Sequence, residues 1–286
     1  MDTNVSTKTK WTLFVLSILI MIWTVIPLLW MVALSLKKPA DLAVPGKAVA
    51  GNFWPTDPTT ENYDLIFRGG ASELFMPALR NSFVVCLVST LISVILAMFC
   101  AYAISRLEFP GKRLILSTAL AVSFFPVISM VTPLYDLWRQ VGLFDTIPGL
   151  ILPYLALTLP LSIWTMTAFF RQIPWEMEQA AQVDGATSWE AFRKVIVPLA
   201  TPGVFTTAII TFFTAWNDFV FAISLTSDKA RTVPAALAFF TGASQFEQPT
   251  GAIMAAAVVV TIPVVLLVLI FQRRIVAGLT SGAVKG

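Results

Sequence analysis

The sequence has no histidine, only two cysteines and few charges. Asp, Glu, Lys and Arg make up 12% of its 286 residues, against 57% hydrophobic ones. Without histidine, His-ligated metal sites and imidazole acid–base catalysis are excluded. Two cysteines build no disulfide framework. A formal net charge of +3 without a basic cluster offers nothing to nucleic acid. The phosphate-cradling pattern G-x-x-x-x-G-K-[ST] is also missing, since Gly46-Lys47 and Gly111-Lys112 fall outside it. No metal-ligand cluster and no nucleophile–base pair suggests an enzyme. An ordinary soluble domain is about 25% charged, so this chain, with a mean hydropathy of +0.81, has too little polar surface to cover a globule in water. The reading is an all-α integral membrane protein.

Six intervals lack any charged residue: Trp11–Leu36, Asn81–Ser105, Leu114–Tyr135, Thr146–Phe170, Val195–Asn217 and Gln248–Gln272. A hydrocarbon core about 30 Å thick needs roughly 20 helical residues, and each interval is long enough. Strands of a membrane barrel would alternate in polarity, and these runs do not. Six transmembrane helices are predicted. The first run follows Lys8 and Lys10 but is too long for a cleavable leader, and it ends at Lys37 without a small-x-small site.

With the N-terminus inside, Lys8, Lys10, Arg106, Lys112, Arg113, Arg171, Arg193, Lys194, Arg273, Arg274 and Lys285 are cytoplasmic. Most of the remaining cations lie in the long outer loop between Lys37 and Arg80, which weighs little in the rule. Both termini are therefore expected on the cytoplasmic side. The expected division is an N-terminal part, 1–75, holding the first span and the long outer loop with Pro39, Pro45, Gly46, Pro55 and Pro58, and a core domain, 76–286.

The cytoplasmic stretch 171–200 carries explicit helix punctuation. Pro174 fits the first turn of a helix, and Glu176 and Glu178 favour the positive end of its dipole. A helix over Trp175–Val183 should stop near Gly185, which can take the left-handed conformation. Thr187 and Glu190 form a capping box for a second helix, which Pro198 should close. Ala180 and Ala181 give the first helix a small-residue patch that admits close approach. By physics alone, this loop is either an amphipathic elbow on the membrane surface or a docking element for a partner.

The spacing Glu178-Gln179-Ala180-Ala181, three residues, Gly185, nine residues, Val195-Ile196-Val197-Pro198 resembles the EAA loop of ABC importer permeases. The departures are Val195 and Val197 for Ile and Leu, and Gln179 between the acidic residue and the alanines. Tyr102-Ala103-Ile104-Ser105-Arg106-Leu107-Glu108-Phe109-Pro110-Gly111, Trp216-Asn217-Asp218-Phe219 and the tail Gly278–Gly286 resemble sugar-importer permeases of the maltose-permease G type. The resemblance implies a type I importer fold in a bacterial or archaeal inner membrane. The chain would pair with a related permease as a heterodimer, driven by two cytoplasmic ATPases that bind ATP and Mg, and an extracytoplasmic solute-binding protein would deliver a sugar. It assigns ATPase coupling to Glu178, Gln179, Ala180, Ala181, Asp184, Gly185 and Pro198. No cofactor is expected on this chain.

Pro126, Pro133, Pro153, Pro160 and Pro263 interrupt the spans and suit helices that kink around a cavity. Trp216, Asn217 and Asp218 are candidates for the translocation path. An ionisable residue at the depth of Asp218 marks either a functional site or an interhelical hydrogen bond. An ion-coupled secondary carrier using Asp218 therefore stands as the alternative. Cys86 and Cys100, 14 residues apart, should share one face of the second span as apolar packing residues.

Overall fold

The computed structural model describes residues 6–42, 52–240 and 249–283, with 272–283 described by backbone alone. Pro45 and Gly46 of the outer loop and the last three residues of the tail lie outside the described residues. The chain forms two compact units, residues 1–76 with 239–262, and residues 77–238 with 263–286. No strand occurs among the described residues.

Four helices are long and apolar enough to span on their own: α1 (Thr7–Ser35), α3 (Ser72–Arg106), α6 (Ile147–Gln172) and α12 (Thr250–Ala283, apolar through Phe271). Two further spans exist if each bent pair of helices is one crossing. The predicted third span is α4 (Lys112–Val122) and α5 (Val127–Val141), bent by 89°. Pro126 explains the break, because it offers no N–H and drives the preceding Phe125 away from helical dihedrals. The predicted fifth span falls likewise on a bent pair, the helical run Ser188–Leu199 meeting α9 (Thr201–Trp216) at 72°. Pro133 of α5, Pro153 and Pro160 of α6 and Pro263 of α12 sit inside continuous helices. Of the prolines singled out, Pro126 is the one at a break.

In the first unit, α1 leaves its most apolar window wholly unburied, so it presents Trp11, Phe14, Ile20 and Trp23 outward. Helix α2 (Glu61–Phe67) holds the C-terminal end of α1. Asn62 donates from Nδ2 to the carbonyls of Ser35 at 2.9 Å and Lys37 at 2.7 Å. Gly251 of α12 lies against the same side chain, and a Cβ there would stand 2.3 Å from Asn62 Oδ1.

In the second unit, α3, α6 and α9 pack through small and hydroxylated residues, as apolar solvent requires. Ser93 pairs with Thr158 at 2.7 Å and Ser162 with Thr211 at 2.8 Å, all four buried. Gly203 lets α9 approach α6 so closely that a Cβ would fall 2.4 Å from the Phe169 ring. Cys86 is buried and Cys100 exposed, so the expected shared packing role holds for Cys86 alone. Beyond α9 the chain forms α10 (Val220–Leu225), a loop, and α11 (Val233–Leu237). The loop is gripped by Asp145, whose carboxylate accepts backbone N–H groups from Ser227, Asp228, Lys229 and Ala230 at 3.1–3.2 Å. Asn81 adds Nδ2 contacts to the carbonyls of Lys229 and Arg231 at 2.8 and 3.0 Å.

Candidate functional site

The stretch after α6 folds as its punctuation requires. Helix α7 runs Trp175–Val183, with Glu176 and Glu178 in its first turn. Pro174 sits one position earlier than expected, as the N-cap with ψ 140°. Asp184 ends the helix, donating its N–H to the Ala180 carbonyl at 3.0 Å. Gly185 takes φ +90°, the left-handed region that costs other L-residues about 1–2 kcal/mol. Its N–H reaches the Gln182 carbonyl at 3.0 Å, and that of Ala186 reaches Ala181 at 2.9 Å. Helix α8 (Ser188–Ala191) then opens with the predicted capping box, both halves of which form. Lys194 completes it, donating to Glu190 at 2.9 Å. The Thr187 backbone N–H, followed by Lys194 and the Thr187 hydroxyl, holds the Glu190 carboxyl down at about 2. The box therefore contributes above the ordinary carboxylate range and is lost only as pH falls through about 2.

Pro198 does not close this second helix. The backbone widens into a π-helical segment over Phe192–Ile196, continues through Val197–Leu199, and breaks at Ala200. Proline at 198 has no N–H for the carbonyl four residues back, and the wide turn ahead of it absorbs that loss. The π segment drives Phe192 and Ile196 into a buried cluster with Ala97 and Ala101 of α3 and Met166 and Phe170 of α6. Phe192 meets Tyr102 at 4.8 Å and Trp189 at 5.4 Å between ring centroids. The elbow is thus plugged into the bundle through its second arm.

The first arm is fixed differently. Glu178 is its one buried residue. Its Oε1 accepts the Tyr102 hydroxyl at 2.5 Å, and its Oε2 faces Arg106 Nε at 3.4 Å. Arg106 also donates from Nη2 to the Ile173 carbonyl at 2.9 Å, and its guanidinium lies 5.2 Å from the Trp175 ring centroid. Removing one partner from a buried pair of this kind costs about 3–5 kcal/mol. Gln179, Ala180, Gln182, Val183, Asp184 and Gly185 face outward, Val183 at 87% exposure, while Ala181 is half-buried.

At the far end of α9, Trp216 and Asp218 point inward. Trp216 is 3% exposed, stacks on Phe212 at 5.2 Å and meets Phe83 edge-on at 5.0 Å. Asp218 caps α10, accepting N–H groups from Phe221 at 3.4 Å and Ala222 at 3.1 Å. Asn217 is the exposed member of the three, its Nδ2 bonded back to the Phe213 carbonyl at 2.9 Å.

Residues 78–281 match the family described as binding-protein-dependent transport system inner membrane component. The chain belongs to this family. Among relatives of this inner membrane component, the trehalose transport system permease protein SugB of Mycobacterium tuberculosis is 56% identical over 273 residues, covering 95% of this chain and 96% of the relative. The trehalose/maltose transport system permease protein MalG of Thermococcus litoralis is 39% identical over 273 residues, covering 94% and 95%. A bacterial ABC transporter for import of the acidic polysaccharide alginate shares the fold, with a TM-score of 0.76 at 20% identity over 95% of this chain and 99% of that one. The MetNI methionine ABC transporter matches less fully, at a TM-score of 0.59 and 18% identity over 73% and 97%. The chain is a transport component with the importer-permease fold.

Within that fold, the sequence pattern placed the elbow but gave no partner to Glu178. Tyr102 and Arg106 carry the missing information. They are four residues apart at the end of the second charge-free run, hence on one helical face. Yet in the sequence they register only as part of the stretch 102–111 that resembles sugar-importer permeases, with Arg106 also an expected cytoplasmic cation. Nothing there pairs them with Glu178. Phe192, the plug, is equally silent in sequence, because an aromatic residue in an amphipathic loop carries no mark of which side it takes.

Proposed function

We propose that this chain forms half of the translocation path of an ATP-driven, binding-protein-dependent importer for a disaccharide or oligosaccharide of the trehalose–maltose class. Its partners in this reading are a related permease, two cytoplasmic ATPases that bind ATP and Mg, and an extracytoplasmic solute-binding protein. Both termini are cytoplasmic, and the core domain 76–286 carries the coupling. The observation that carries the reading is the bent elbow, backed by buried groups on one side and presenting Gln179, Ala180, Gln182, Val183 and Asp184 on the other. A small, flat, outward face on a rigidly mounted helix suits docking into a groove of a partner. Asp184 and Gly185 keep the two arms at their angle. Relatives named for trehalose and maltose support the substrate class. Asn217 is the residue at the end of α9 offered to a passing solute, with Trp216 and Asp218 shaping the wall behind it. Asp218 accepts the Phe221 and Ala222 N–H groups, a helix-capping role that accounts for it without the ion-coupled alternative.

Gly185→Val tests the reading. Nothing lies within 4 Å of a Cβ at this position, so the penalty is the φ of +90° alone, which a β-branched residue adopts poorly. Membrane insertion should be normal, while ATP-dependent trehalose uptake by the assembled complex should fall at least tenfold. Near-normal uptake in this variant, or uptake by the chain alone on an ion gradient, would overturn the proposal.

A further inference from the structure

Glu178, the acidic residue of the coupling stretch, set one place before the pattern's own acidic position at Gln179, is turned away from the surface on which a partner would dock. It is 3% exposed, and both its oxygens face α3, a different element from the one it belongs to. The segment that joins α6 to α7 is just Ile173-Pro174, and such a link by itself can swing. Three contacts stop it. Tyr102 donates to Glu178 Oε1, the Arg106 charge faces Oε2, and Arg106 Nη2 holds the Ile173 carbonyl inside the link. Trp175, the first residue of α7, lies under the same guanidinium.

Resting on the importer reading above, we propose that Tyr102, Arg106 and Glu178 are positioning residues that form the inner bearing of the coupling helix. They transfer displacement of α7 to the end of α3 instead of letting the Ile173-Pro174 link absorb it. One detail fits a part that must shift under load. Arg106 Nε and Glu178 Oε2 stand 3.4 Å apart with no hydrogen bond formed by either atom. The charges attract, yet the geometry is open and can tighten or slide without a covalent or packing change. A buried polar pair with unfilled hydrogen-bonding capacity is costly as a mere staple, whereas one that serves two arrangements of the helices has a reason to stay incomplete. The bearing also assigns separate tasks along α7. Glu178 faces inward to the bundle, and Gln179, Ala180, Gln182, Val183 and Asp184 face outward to the motor.

The experiment uses the full chain with the second permease and ATPase that co-purify with it, reconstituted in proteoliposomes with binding protein and trehalose. The readout is trehalose moved per ATP hydrolysed. In Glu178→Gln the charge is lost and the shape kept. In Tyr102→Phe one hydroxyl is lost from a half-buried ring, a change that leaves the fold intact. The expected result is a fall in the ratio of at least tenfold for Glu178→Gln and about threefold for Tyr102→Phe. In Tyr102→Phe, ATPase capture and basal hydrolysis should stay within twofold of wild type. Loss of ATPase capture in both variants would make residue 178 part of the docking face and overturn the proposal. So would uptake and hydrolysis that fall together at an unchanged ratio, or a ratio equal to wild type. If the wild-type chain itself captures no ATPase, the importer reading fails first, and this proposal falls with it.

Discussion

Gly149→Ala is expected to remove the folded protein from the membrane. Gly149 lies in the first turn of α6, fully buried, where Thr146 caps the helix by accepting the Gly149 N–H at 3.1 Å. Thr146 also donates to the Leu143 carbonyl at 2.7 Å, and Trp138 Nε1 donates to the Gly149 carbonyl at 2.6 Å. A Cβ at 149 would stand 2.0 Å from the Leu143 carbonyl oxygen. The obstacle is backbone, held on both sides by hydrogen bonds, and cannot rotate away as a side chain would. The cost is about 3 kcal/mol or more, the upper end of overpacking, against a total stability of only about 5–15 kcal/mol. Quantitative immunoblotting of membranes and thermal unfolding of the detergent-purified chain measure the effect. Wild-type yield and melting temperature in this variant would show that the turn relaxes cheaply.

Asp145→Ala is expected to free the loop between α10 and α11. Asp145 takes φ 56°, and its own N–H donates to the Leu225 carbonyl at 3.0 Å, which aims the carboxylate at four consecutive backbone amides and the Ser227 hydroxyl. Hydrogen bonds to a charged acceptor are worth more than neutral ones, but this carboxylate is partly in solvent, so the net loss is on the order of 2 kcal/mol. Amide exchange at residues 227–230 should accelerate at least tenfold. Asp145→Asn tolerates the left-handed backbone and separates the charge from the conformation. The pH dependence has a definite sign. Partial burial alone would raise the Asp145 carboxyl, but the amides of Ala230, Lys229, Ser227 and Asp228 outweigh it and hold the group below the ordinary carboxylate value. The clamp is therefore fully present above that ordinary value, near 3.8, and is lost as pH falls through the lower folded value. Protection factors at 227–230, taken relative to the intrinsic exchange rate at each pH, that did not fall between pH 5 and 2 would contradict this account.

The all-helical class was legible in the sequence, since a charge-free run of more than 20 residues has few solutions in a bilayer; four of the six runs are single long helices and two fall on bent pairs. The elbow was legible too, down to both bounds of α7, because Gly185, Thr187 and Glu190 act locally and their chemistry lies in adjacent residues. What escaped was long-range. The 89° bend at Pro126 could not be told from the harmless prolines at 133, 153, 160 and 263, since a proline either kinks or passes according to what packs around it. The π segment ahead of Pro198 and the inward turn of Glu178 depend on where Phe192, Tyr102 and Arg106 lie in space. Likewise Trp216 and Asp218, chosen for depth and chemistry, serve the bundle interior, and depth alone does not tell a lining residue from a packing one.

The hydroxyl pairs between helices carry a consequence for motion. Ser93 with Thr158, and Ser162 with Thr211, are joined by side chains too short to stretch, in surroundings with no water to take over a broken bond. A slide large enough to break both pairs would strand two donors in hydrocarbon. The pairs favour movement of the three rods together, and the bends at Ala200 and at the Ser123–Pro126 corner are where the chain already changes direction.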